Sequence, residues 1–278
     1  MIFGLFKKPA TEAGSEMSFL GHLEELRWHL IRAVMVIIAG GIYFFVQKEF
    51  LFDQVLLAPK EPSFITYKIL CQWVDRYGLP EDICMTASSF KLISTDISAQ
   101  FTTHMWSAFI GGLVIGFPYL IWELWRFVKP ALKETEKKYA TGVVFFTSSL
   151  FLLGIAFGYY VITPMSVNFL GSYQVSSQVE NTITLDSFIG MVTTMTLITG
   201  IVFELPMVVY FLSKLGIMSP SMMRTYRRHA VVVIMILSAV ITPTSDVTTL
   251  LLVAIPLYIL YELSIFVSAF VVGKKSST

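Results

Sequence analysis

The stretch "GIVFELPMVVYFL", residues 200–212, decides the fold class. Twelve of its thirteen residues are apolar, Gly or Pro, and the thirteenth is Glu204. Such a run belongs in a bilayer, where about 20 mostly apolar residues form a crossing helix. The rest of the chain has the same character. Of its 278 residues 55% are hydrophobic and only 14% are charged, with a mean hydropathy of +0.71. A soluble domain carries about 25% charged residues, so the composition is that of an all-α, polytopic membrane protein. The net charge of +1 excludes a nucleic-acid binder that rests on bulk positive charge. The N-terminal "MIFGLFKKPATEAGSEM" turns polar before any long apolar run. No cleavable signal peptide is therefore expected, and the first apolar segment stays as an anchor.

Six spans follow from the apolar runs, at about 28–46, 98–122, 140–162, 187–212, 229–242 and 248–272. Together they make a single membrane domain over 1–278, a concave bundle with one large external loop, 47–97. Fifteen of the twenty Lys and Arg fall in the tail to Arg32, the 2–3 and 4–5 connections and the C-terminus. The 3–4 loop and the 5–6 turn carry none, and acids outnumber bases in the 1–2 loop. The positive-inside rule then puts both termini in the cytoplasm. The last two spans read as short. "AVVVIMILSAVI" (230–241) is only twelve residues, about 18 Å of helix, and the apolar stretch before Glu262 is similar. The external loop holds both cysteines of the chain, in "CQWVDRYGLPEDIC". On the oxidising side of a membrane, Cys71 and Cys84 are expected to pair.

No enzyme motif is present, so no catalytic residue is assigned. "HLEEL" (22–26) has Leu26 where HExxH needs its second His. The four histidines are scattered, and no metal or cofactor site is expected. Four features carry charge into or beside the spans. "FLGHLEELRWHL" (19–30) has Leu23, Leu26 and Leu30 at helical spacing and reads as an interfacial helix leading into span 1. Glu24, Glu25 and Arg27 then lie at the cytoplasmic surface, where a solvated face is the plain reading. "LWRFVKPALKETEKKY" (124–139) carries Glu134 and Glu136 before span 3, as dipole-complementing acids or as a site for a cationic ligand. Glu204 sits inside span 4, where a charged carboxylate costs about 2.5–3.5 kcal/mol on insertion scales. It is either a satisfied structural acid or a functional group that offers a hydrogen bond. Asp246, in "ITPTSD" (241–246), is a turn or cap acid or part of an external site.

These four features, taken in order, resemble the TatC family, the receptor core of the twin-arginine protein translocase. "HLEELR" (22–27) resembles its N-terminal motif, and "WRFVKPALKETEKK" (125–138) its first cytoplasmic-loop motif. "FELP" (203–206) resembles its fourth-helix motif, and "TPTSD" (242–246) its last external turn. The likeness runs from about residue 18 to 273. It implies recognition of twin-arginine signal peptides, TatA- and TatB-type single-span partners, self-association in a complex and export of folded proteins driven by the proton-motive force. The setting it implies is the inner membrane of a bacterium. By motif position, Glu25 and Glu136 match the two carboxylates that hold the arginine pair. Arg27, Phe127 and Leu132 match other recognition positions, Glu204 the buried acid of the fourth helix, and Asp246 the acid of the last turn. Leu250 stands where the family often has Gln, and the 1–2 loop is longer than in common members.

The physics of the residues agrees with this resemblance. A carboxylate takes the planar guanidinium fork with two parallel bonds, which lysine cannot offer. The main alternative is a proton-coupled secondary transporter that uses Glu204. It would show internal repeats, and none is evident between 28–162 and 187–272. An intramembrane enzyme would need a nucleophile–base or metal pair, which the sequence lacks.

Overall fold

A computed structural model describes residues 19–78, 84, 90–129, 140–174, 176, 178, 182–242 and 247–276. Its helices are α1 (Phe19–Val46), α2 (Ile65–Tyr77), α3 (Ala99–Val128), α4 (Ala140–Phe157), α5 (Thr163–Ser172), α6 (Leu185–Val202), α7 (Leu205–Lys214), α8 (Pro220–Thr225), α9 (Arg227–Ile241) and α10 (Val247–Ser276). Two π-helical segments, Phe50–Leu56 and Gly158–Ile162, interrupt the regular winding. Among the described residues, five stretches are long and apolar enough to cross a membrane: Glu24–Val46, Ala99–Val128, Gly142–Ser172, Leu185–Lys214 and Thr249–Phe270. α9, with 15 residues, spans about 22 Å, which is short for a crossing.

α1 and α3 pack antiparallel, and glycine permits their close approach. A Cβ on Gly112 would lie 2.4 Å from both Gly41 N and Ile37 O, and one on Gly40 would lie 3.0 Å from Gly112 Cα. Small residues bring membrane helices into backbone contact because packing, not hydrophobicity, drives association in lipid. The expected interfacial helix at 19–30 is instead the first part of α1. No Pro interrupts 19–46, and its Leu, Glu and Arg residues are good helix formers, so the chain enters the membrane without a bend.

Proline shapes the third and fourth spans. The apolar run was expected to end at 162, before Pro164. The helix continues to Ser172 because the carbonyl that Pro164 cannot engage finds another donor. Tyr160 C=O lies four residues back and accepts from Thr66 Oγ1 at 2.5 Å, which satisfies the freed group. Tyr67 OH donates to Pro164 O and Pro59 O, both at 3.0 Å, and its burial pushes the phenol up to about 12. Tyr159 OH reaches Val55 O at 2.6 Å. These bonds, with a short parallel pairing of β1 (Leu92–Ile93) and β2 (Ile183–Thr184), fasten the 47–97 segment onto the bundle. A disulfide joins Cys71 to Cys84, with Cα atoms 4.7 Å apart.

The last helix corrects an expectation. Only α9 is short; α10 runs for 30 residues. Glu262 does not end the apolar helix because its carboxylate is met there. Arg227 Nη2 donates to it at 2.7 Å and Tyr258 OH at 3.1 Å. Beyond it, Ser268 accepts from Ser213 Oγ on α7 at 2.7 Å, and α10 packs along α7.

The glycine contact is directly testable. Gly112→Ala puts a methyl where backbone already lies, and overpacking of this kind costs about 1–3 kcal/mol. The thermal unfolding midpoint in detergent should fall, whereas Gly21→Ala, where a Cβ meets nothing within 4 Å, should leave it unchanged. Equal midpoints for both variants would contradict the α1–α3 contact.

Candidate functional site

One helix turn separates the residues of α1 that face α3. Glu25, His29 and Arg32 recur at i, i+4 and i+7, so they share a face. Antiparallel packing brings this face against the C-terminal end of α3. There Glu123 is 1% exposed, a carboxylate buried beside an apolar run. His29 Nδ1–H donates to Glu123 Oε2. Tyr119 OH donates to Oε1 at 2.9 Å and Arg126 Nη1 to the same oxygen at 3.3 Å. Arg32 Nη1 stands 4.0 Å from Oε2. A buried charge is tolerable only when paired and hydrogen-bonded in this way. The His29 ring also meets Phe127 edge-on, with centroids 6.3 Å apart.

Glu25 lies one turn before His29 on the same face and is half-buried. Among the described residues it has no ion pair, whereas Arg32 and Arg126 are drawn to Glu123. Arg27 points to the other side of α1, exposed, with its guanidinium 5.9 Å from the Trp28 ring. The structure thus brings Glu25 and Phe127 onto facing helices and turns Arg27 away. Leu132, Glu136 and Asp246 lie outside the described residues.

Glu204 sits where the fourth span breaks. Pro206 cannot donate to the carbonyl four residues earlier, and the chain makes a tight turn between α6 and α7. Glu204 N bonds Ile201 O at 3.1 Å, and Glu204 O restarts the ladder by accepting from Met207 N at 2.9 Å and Val208 N at 3.0 Å. The side chain is half-buried against α4. It lies beside the Phe151 backbone, and Oε1 is buried with no partner among the described residues. Thr147, one turn from Phe151, likewise has a buried hydroxyl without a partner there. The acid retains capacity for one more hydrogen bond in a setting where it is worth most.

The Glu123 cluster was not anticipated from sequence. It sits in "YLIWELWRF", at the edge of an apolar run expected to end at 122. The available signal was the same as for Glu204: a lone acid next to a long apolar stretch.

The family model for "Sec-independent protein translocase protein (TatC)" matches residues 21–256. The chain belongs to the TatC family. A TatC of Blattabacterium sp. subsp. Periplaneta americana is 35% identical over 94% of this chain and 98% of its own length. The TatC of Deinococcus radiodurans is 33% identical, covering 94% and 89%. Two crystal structures described as the twin arginine translocase receptor TatC superpose with TM-scores of 0.67 and 0.63, at 28% and 26% identity, over 88% and 90% of this chain and 98% and 99% of theirs. The TatC fold therefore covers both the paired α1–α3 ends and the broken fourth span. TatC relatives are multi-pass proteins of the bacterial inner membrane, in keeping with the five apolar helices here. The transporter alternative finds no support among these likenesses.

Pairing across α1 and α3 predicts strong coupling. His29→Leu or Glu123→Leu alone breaks a buried pair and should destabilise by about 3 kcal/mol. The double change to Leu should recover most of that loss. A thermal double-mutant cycle in detergent reads this; simply additive losses would mean that the two side chains are not coupled.

Proposed function

We propose that this chain is the receptor core of a twin-arginine translocase. It binds twin-arginine signal peptides at its cytoplasmic face and, with TatA- and TatB-type single-span partners, supports export of folded proteins driven by the proton-motive force. The observation that carries the reading is Glu25: a half-buried carboxylate on α1 with no ion pair among the described residues, level with the α3 end that leads toward Glu136. One arginine of the peptide pairs with Glu25 and the other with Glu136, each in a two-bond fork. Phe127 and Leu132 supply apolar contact beside them, and Arg27 acts at the rim. Both termini are cytoplasmic, from the distribution of Lys and Arg. α9 completes six spans in one membrane domain, with a thinned bilayer beside it. Copies of the chain self-associate in the complex, and Asp246 belongs to its external turn, with Leu250 close behind. No nucleic acid and no bound cofactor enters the scheme.

Arginine selectivity tests the cytoplasmic site. Glu25→Gln and Glu136→Gln each remove a charge-assisted bond worth roughly 1.5–3 kcal/mol, about ten- to hundredfold in affinity. Binding of an Arg-Arg signal peptide to the protein in membranes should weaken by that factor, and binding of a Lys-Lys peptide much less. Unchanged Arg-Arg affinity in both variants would refute the assignment.

Within the membrane, Glu204 offers its spare hydrogen bond to a polar group on a partner's single helix, on the concave side of the bundle. Gln can still donate and accept, so Glu204→Gln should retain much of the partner association and export. Ala cannot, and it leaves the partner group unsatisfied at a cost of about 1–3 kcal/mol. Export of a folded reporter and crosslinking to the single-span partners are measured together. A Gln variant as inactive as Ala, with crosslinks unchanged in both, would refute docking at Glu204.

A further inference from the structure

Helix α2 carries more apolar surface than its contact with the bundle uses. At 100° per residue, Leu70, Val74 and Tyr67 form one arc, and Tyr67 and Val74 are buried at 3% and 2% exposure. The adjoining arc holds Ile65, Ile69, Trp73 and Tyr77, at i, i+4, i+8 and i+12. These four are 53%, 48%, 59% and 64% exposed. Lys68, Gln72 and Asp75 fill the remaining polar side. Arg76 falls inside this sector, between Ile65 and Ile69 in angular position, in the last turn, where its long stem can lift the charge to water. The helix thus has three sectors: protein-facing, apolar but uncovered, and polar.

The uncovered sector is continuous with the surface of a membrane span. Thr66 lies between Trp73 and Tyr77 in angular position, and it is the residue bonded to Tyr160 O on the Gly142–Ser172 span. Tyr160 is itself 45% exposed, and Phe64, just before α2, stacks on its ring at 5.7 Å. Trp73 and Tyr77 lie ring to ring at 5.6 Å. The exposed Tyr160 of the span thus adjoins the N-terminal end of α2 through Phe64 and Thr66. Trp and Tyr are the side chains that settle at the headgroup level. A helix with one apolar face, one charged face and low mean hydropathy lies in the interface plane. Cys71, bonded to Cys84, is on the arc away from the stripe.

We propose that α2 is a membrane-interface helix. Its Ile65–Ile69–Trp73–Tyr77 stripe is immersed in the lipid leaflet beside the Gly142–Ser172 span, and it anchors the 47–97 segment against the bilayer. The inference rests on the membrane setting of the family and needs neither the orientation of the chain nor the receptor assignment. It gives the long 1–2 segment a mechanical part, holding the segment at a fixed height over the spans it caps.

Spin labels on single cysteines at Ile69 and Gln72, in the full chain reconstituted into phosphatidylethanolamine–phosphatidylglycerol vesicles, test it. The Cys71–Cys84 bond is verified by mass spectrometry before labelling. Oxygen concentrates in lipid and a nickel chelate in water. The oxygen-to-nickel accessibility ratio should be severalfold higher at 69 than at 72. Equal ratios with free nickel access at both sites would overturn the proposal. So would a label at 69 shielded from both reagents, which would mean that a second copy or another protein covers the stripe. If labelling disturbs the fold, brominated-lipid quenching of tryptophan fluorescence reads the same contact without it. Trp73→Phe should lose a quenched component that the unsubstituted protein shows, and identical quenching in both would likewise overturn the proposal.

Discussion

The backbone contact between α1 and α3 is the constraint on which the candidate receptor site depends. Gly112 lies so close to Gly41 and Ile37 that no side chain fits between them. That contact fixes the antiparallel register of two long helices. Some seven residues beyond Gly112 the register begins to bring Tyr119, Glu123 and Arg126 opposite His29 and Arg32, and there the buried carboxylate acts as a second fastening. The two contacts differ in kind. The first is van der Waals packing that any lipid environment permits, and the second is a paired charge that fixes which residues must meet. Glu25, with no ion pair among the described residues, and Phe127 then lie at the same end of this pair of helices.

Inside a bilayer every backbone polar group needs an internal partner, and the prolines show how this chain meets the requirement. Pro164 frees a carbonyl near the end of its span, and Thr66 from the 47–97 segment satisfies it. The same demand that would weaken a lone helix here joins an extramembrane segment to the bundle. Pro206 does the reverse. It breaks the fourth span beside Glu204, whose carboxyl Oε1 is buried with no partner among the described residues.

Five of the expected spans were legible because apolar length is a property of composition. The same holds for Glu204, a single acid in an apolar run, and for the motifs at 22–27 and 203–206. Glu123 escaped because its meaning lies in partners far along the chain, His29 and Arg32, and because it sits at the edge of the apolar run where a surface charge would be unremarkable. The full length of α10 was hidden for a related reason: Glu262 looks like a boundary until Arg227 is seen to meet it. The continuation past Pro164 depends on Thr66, nearly a hundred residues away. In each case the local rule was overridden by a long-range pair. The helix α2 was not read from the 47–97 loop, and the division of its apolar arc into covered and uncovered halves requires knowing where the bundle lies.

The receptor assignment stands or falls on contact between the α1–α3 end and paired arginines. A photo-crosslinking amino acid at Phe127, in the full chain in its membrane with its translocase partners, reads that contact directly. An Arg-Arg signal peptide should form a covalent adduct at this position, and the adduct should nearly vanish when the doublet is Lys-Lys. Equal adducts with both peptides, or none with Arg-Arg while the peptide is captured elsewhere on the protein, would contradict the account.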